Sequence, residues 1–148
     1  VNHHFVTVDD FVNLIAADDL LEWAQVYGNY YGVPKKQVRD ALAADNHVII
    51  RVDVQGAKRL REIIPEALLI FIIPPSLDVL KMHLENRGVD TEAEMTKRLA
   101  AATEEINQAS LFDFTVTNEE NRLGDTVDGV EAIIESESQR VPPRTVSI

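Results

Sequence analysis

The chain has 148 residues, 45% of them hydrophobic and 26% charged, and it contains no cysteine. One domain of this length can bury a core that folds alone, and the composition excludes a disordered chain, a disulfide framework and a thiolate metal site. The formal net charge of -11 argues against a nucleic-acid backbone as main partner, and no apolar run approaches the roughly 18 residues of a membrane span, so no nucleic acid and no membrane are expected and the cytoplasm is the expected location.

In chain order, Phe5 to Val8 reads as a short strand and Val8 to Ala17 as a helix with Asp9 or Asp10 near its start. Leu20 to Tyr27 reads as a strand, closed by the turn signal Gly28-Asn29. Pro34 opens a helix to about Ala44, since proline suits a first helical turn. The β-branched run from His47 to Val54 reads as a buried strand and Gln55 to Ile64 as a helix that Pro65 stops. Leu68 to Ile73 is a second buried strand, ended by Pro74 and Pro75. Ser76 caps a helix to about Asn86, which Arg87 and Gly88 break. Thr91, with Glu94 three residues on, forms a capping box for a long helix to about Ser110. Phe114 to Thr117 is a strand, Asp125 to Gln139 an amphipathic helix, and the tail with Pro142 and Pro143 is expected to be loose. The chain opens on Val1, in residues that already read as structured, so a preceding segment is expected.

Strands that alternate with helices of this length predict an α/β fold, a parallel sheet covered by helices. The residues from His4 to Tyr31 predict a small, mostly antiparallel insert beside it. Ligands in open parallel sheets sit beyond the carboxyl ends of strands. That places Asp53, at the end of VIIRVD, near any site, although the same aspartate also suits a plain helix N-cap. The segment from Glu22 to Gly32 joins a carboxylate to tyrosine hydroxyls flanked by glycines. A carboxylate there could accept two hydrogen bonds from a base edge such as guanine's, and glycines let backbone and ligand come close. The same residues would serve equally in a surface hairpin with packed tyrosines. Four scattered histidines without nearby acidic ligands do not predict a metal site.

LLEWAQVYGNYYG closely resembles the guanylate kinase signature, a strand ending in E-(W/H)-A-x-x-x-G-x-x-Y-G. VDVQGAKRLR, IFIIPPS, ENRGVDTEAEMTKRLAAATEE and FTVTNEE resemble the later blocks of that family, in family order and with family-like gaps. The resemblance implies a P-loop kinase core that lacks its first strand and its P-loop. Residues 1–34 would be a GMP-binding subdomain, 35–86 and 111–140 the core, 87–110 the lid with its following helix, and 141–148 a tail. It implies ATP-dependent phosphorylation of GMP to GDP, with Mg2+ accompanying ATP as co-substrate. Carried over by position, Glu22 would accept from the guanine edge and Tyr31 would donate to the GMP phosphate. Asp53 would lie beside the base and the reacting phosphates, Arg87 and Arg98 would bracket the transferred phosphoryl group, and Asn118 would lie on the adenine side of ATP. Phosphoryl transfer asks mainly for positioning and positive charge around the equatorial oxygens, and arginine's planar fork suits that work.

The sequence departs from the family pattern at ligand positions. No G-x-x-x-x-G-K-(S/T) loop is present, so the chain alone is not expected to turn over. His3 stands where a tyrosine is usual, Val33 where a hydroxyl would bond the base, Arg51 where an acid helps organise the magnesium site, and His83 where an arginine is usual. The second reading is therefore a guanylate-kinase-like module that binds nucleotide or protein without catalysis. The third, a monophosphate kinase of other base preference, fits Glu22 less well. The sequence carries no sign of the oligomeric state.

Overall fold

A computed structural model of the chain describes residues 4–26, 28–87 and 91–148. It divides into two compact units, Val1–Ala67 with Val146–Ile148, and Leu68–Thr145.

The first unit begins with α1, Val8–Ala16, where Thr7 is the N-cap and its hydroxyl oxygen accepts from the Asp10 amide at 3.1 Å. The expected strand over Phe5 to Val8 does not form. Val8 is already helical, and Phe5 and Val6 are exposed, with no strand paired to them among the described residues. Strands β1, Leu20–Val26, and β2, Asn29–Pro34, form an antiparallel hairpin. Gly28 supplies the φ of +82° that its turn requires. The pairing passes from Leu20↔Pro34 to Glu22↔Val33, so Leu21 is an extra residue, a β-bulge. The bulge breaks the strict alternation of faces. Leu20 lies toward Gly32 and the Phe11 ring, Leu21 enters the core with Leu60, and Glu22 pairs opposite Val33, which packs on that same core.

Helices α2, Lys35–Ala43, and α3, Val54–Ile63, complete this unit. Pro34 ends β2 and is the N-cap residue of α2, so the helix begins at Lys35, one residue later than expected. Buried Leu21, Val38, Leu60 and Ile64 form the core, with Val33, Leu42, Val48, Ile50 and Val52 against it. The expected strand over His47 to Val54 is the main correction. This segment joins no sheet, because among the described residues no strand lies beside it to share a ladder. It keeps a strand's period of two all the same: Val48, Ile50 and Val52 face the core while Ile49 is 81% exposed. The tail also departs from expectation, since Val146 and Ile148 pack on this core instead of hanging loose.

In the second unit, β3, Ile70–Ile73, and β4, Phe114–Thr117, pair in parallel from Ile70↔Phe114 to Ile73↔Thr117. Between them run α4, Leu77–Arg87, and α5, Glu92–Ile106, which pack on each other, and a 3₁₀ turn at Ala109–Leu111. A parallel pair needs such a crossover, because a tight turn cannot reverse the chain twice. The capping box that begins α5 is complete: the Thr91 hydroxyl oxygen accepts from the Glu94 amide, and the Glu94 carboxylate accepts from the Thr91 amide at 2.8 Å. The final helix, α6, Leu123–Ser138, lies on β4, with Gly129 close to Val116. Phe71 and Phe112 stack at 4.6 Å. Arg144 donates to the Glu137 carboxylate at 2.9 Å, which ties down the stretch after Pro143. No helix of the described residues is long and apolar enough to cross a membrane.

Candidate functional site

In an antiparallel pair, residues directly opposite each other share a face. Trp23 opposite Gly32 and Gln25 opposite Tyr30 make one face of the hairpin. Phe11 of α1 covers it, stacked on Tyr30 at 5.2 Å, with Trp23 and Tyr30 at 6.3 Å. Glu22 opposite Val33 and Ala24 opposite Tyr31 make the other face. Glu22 and Tyr31 are thus brought together on one surface by strand register alone. Tyr31 is 52% exposed.

The Glu22 carboxylate is not alone there. Arg59, on α3, donates from Nη2 to Glu22 Oε1 at 2.6 Å, with the glutamate side chain 12% exposed and the arginine 49%. Arg59 was not among the residues singled out in the sequence. It sits in a helix of alternating charge and apolar residues, and only the packing of α3 on β1 brings it to Glu22. Asp53 is the N-cap of α3, and its Oδ1 accepts from the Gly56 amide at 2.7 Å. Gly56 lies so close to Val52 that a Cβ would stand 2.9 Å from the valine Cβ. The cap and this close approach set the start of α3, and hence the place of Arg59 two turns along. One carboxylate oxygen of Asp53 is thereby committed to structure, and the side chain remains exposed at the helix N-terminus, where a negative charge is favourable. Arg51 is exposed two residues earlier.

The other sequence-selected residues belong to the second unit. Arg98 is exposed on α5, one turn beyond Glu94. The backbone hydrogen bond from Thr91, then its hydroxyl, and to a smaller degree the Arg98 charge hold the Glu94 carboxyl below its usual range, against slight desolvation. Asn118 follows β4 directly, at the carboxyl ends of the parallel pair, where its amide donates to the Ile73 carbonyl at 2.8 Å. Its side-chain oxygen accepts from the buried Thr126 hydroxyl at 2.9 Å. His83, on α4, is 3.2 Å from the Glu120 carboxylate near the same strand ends, a contact the sequence reading did not foresee. Arg87 is the last residue of α4, and its side chain, like His3 and Gly88, lies outside the described residues. Among the described residues no three His, Asp or Glu side chains are grouped to hold a metal ion.

The guanylate kinase family profile matches residues 1–137. The chain belongs to the guanylate kinase family. It is 39% identical over 147 residues to the guanylate kinase of Carboxydothermus hydrogenoformans, covering 99% of this chain and 70% of that protein. It is 41% identical over 148 residues to guanylate kinase 2, chloroplastic/mitochondrial, of Oryza sativa subsp. japonica, covering 99% of this chain and 52% of that protein. The guanylate kinase of Neisseria gonorrhoeae is 46% identical over 134 residues, covering 89% of this chain and 65% of that protein. The chain therefore spans between 52% and 70% of the length of these curated relatives. The crystal structure of guanylate kinase from Anaplasma phagocytophilum is similar at a TM-score of 0.70 and 29% identity, covering 93% of this chain and 66% of that one. The mixed α/β architecture, with helices and a small parallel sheet, is that family's fold.

Proposed function

We propose that this chain carries the GMP-binding part of an ATP-dependent guanylate kinase that acts in purine nucleotide metabolism in the cytoplasm. The observation that carries this reading is the shared face of Glu22 and Tyr31 in a member of the guanylate kinase family. Glu22 accepts hydrogen bonds from the guanine edge, and Tyr31 donates its hydroxyl to the GMP phosphate. Asp53 keeps α3 capped while its free oxygen faces the base and phosphates. A phosphate oxygen of GMP attacks the γ-phosphorus of ATP, the bond to the β-phosphate oxygen breaks, and ADP leaves. Residues 87–110 are the lid and its following helix. Lid closure excludes water and brings in Arg87 and Arg98 around the transferred group. Asn118 stands on the adenine side.

ATP and its phosphate-binding loop come from outside these residues, so this chain alone does not turn over. The described residues supply no acidic cluster for magnesium, and Arg51 reverses the charge where one acid was expected. The metal would arrive as part of the ATP complex, held by phosphate oxygens and water.

A second reading is favoured by Val33, directly opposite Glu22 and without a hydroxyl. In it the domain keeps the cleft as a non-catalytic nucleotide- or protein-binding module. Calorimetric titration of GMP into the 148-residue chain, with AMP and Glu22→Ala as controls, tests the first reading. Saturable GMP binding that AMP does not mimic and Glu22→Ala removes is expected. A folded chain that ignores GMP would overturn the base site and leave the protein-binding module.

A further inference from the structure

Arg59 places a cation at 2.6 Å from the carboxylate expected to read the base. A carboxylate offers about four lone-pair directions, and the guanidinium five N–H donors. One donor and one lone pair are spent on the pair itself. With half of the Arg59 side chain exposed, donors remain on one side of Glu22 and acceptors remain on the carboxylate. Such a pair can offer a donor beside two acceptors. The guanine edge reads acceptor, donor, donor at O6, N1 and N2. The complement is full only if the arginine joins the glutamate, because Val33, opposite Glu22, has no hydroxyl to serve O6.

We propose that Arg59 is a specificity-determining residue, which donates to guanine O6 while Glu22 accepts from N1 and N2. The proposal rests on the GMP-binding reading above. Adenine places an amino group where O6 stands and an acceptor where N1–H stands, so the same pair repels it. The helix that carries Arg59 is fixed at its start by the Asp53 cap and the Gly56 approach, and the ion pair with Glu22 holds the guanidinium beside the carboxylate.

The test uses calorimetric titration of the 148-residue chain with GMP, AMP and 6-thio-GMP. The thio analogue keeps N1–H and the 2-amino group but replaces O6 with sulfur, a weak acceptor. The wild-type chain is expected to bind GMP about tenfold more tightly than 6-thio-GMP, the scale of one hydrogen bond to a charged group. Arg59→Ala is expected to weaken GMP about tenfold, leave 6-thio-GMP nearly unchanged and so erase the preference. Val33→Thr in the Arg59→Ala background restores a donor and recovers part of the GMP affinity. Thermal unfolding monitors the fold, and Arg59→Met, which keeps the stem but donates no hydrogen bond, replaces Arg59→Ala if the alanine variant does not fold. A preference that survives loss of Arg59, or equal weakening of both ligands, overturns the O6 contact and leaves the GMP reading standing. A folded wild-type chain that does not bind GMP overturns both.

Discussion

Glu22 and Arg59 meet at 2.6 Å although 37 residues separate them. The contact joins the bulged strand β1 to helix α3, so two independent local features must both form before it exists. The bulge at Leu21 carries Glu22 to the α3 side, and the Asp53 cap starts α3 where Arg59 can reach it.

The cap predicts a stability change of its own. Asp53→Ala removes the acceptor for the Gly56 amide and is expected to lower stability by about 1 kcal/mol, while Asp53→Asn keeps an acceptor oxygen and loses little. Urea unfolding of the two variants measures the difference. If alanine and asparagine cost the same, the hydrogen bond is not what sets the start of α3.

Gly32 predicts a steric cost. A Cβ there would stand 2.9 Å from Phe11 Cζ and 3.1 Å from the Glu22 carbonyl oxygen. Gly32→Ala is expected to destabilise by about 1–3 kcal/mol, as overpacking does. Adding Phe11→Leu should recover part of that loss, because neighbours in contact are not additive. Strict additivity of the two changes in thermal unfolding would contradict the close approach.

The segment after His47 predicts a contrast between adjacent residues. Ile49→Lys should lie within about 0.5 kcal/mol of wild type, since Ile49 is 81% exposed. Ile50→Ala should cost about 2 kcal/mol, toward the low end for a core isoleucine because the residue is half-buried. Chemical denaturation decides, and a reversed order would show that the period of two runs the other way.

The capping box of α5 predicts a pH dependence. The Thr91 hydrogen bonds hold the Glu94 carboxyl below its ordinary range in the folded chain. Its stabilising contribution is therefore complete at neutral pH, and it is lost as the pH falls from the ordinary glutamate range through the depressed folded value. Amide exchange in the first turn of α5 should speed up across that acid window. Glu94→Gln should show no such step, because its side chain does not titrate.

The elements that depend on neighbours in sequence were legible beforehand. Phe114–Thr117 and the Thr91–Glu94 box appear where their residues place them, because β-branched alternation and a cap act over a few residues. The residues from His47 to Val54 favour extension and so predict a ladder strand. Extension is a local property, whereas a ladder requires a second strand, and none is beside it among the described residues. Glu22, Tyr31 and Asp53 could be picked out by type and order, but Arg59 could not. Nothing in KRLR distinguishes the arginine that packs on β1 from those that face elsewhere, since the choice is made by the angle of α3 on the hairpin.

The packing of Val146 and Ile148 against Leu21, Val38, Leu60 and Ile64 bears on how the chain is made. During synthesis the first unit emerges early, yet two of its core contacts are still to be translated. All of β3, α4, α5, β4 and α6 must leave the ribosome in between. Until then the early unit lacks these contacts, which close loops spanning most of the chain, the slow kind. A chain truncated before Val146 should therefore show the first unit less well protected from protease than in the 148-residue chain.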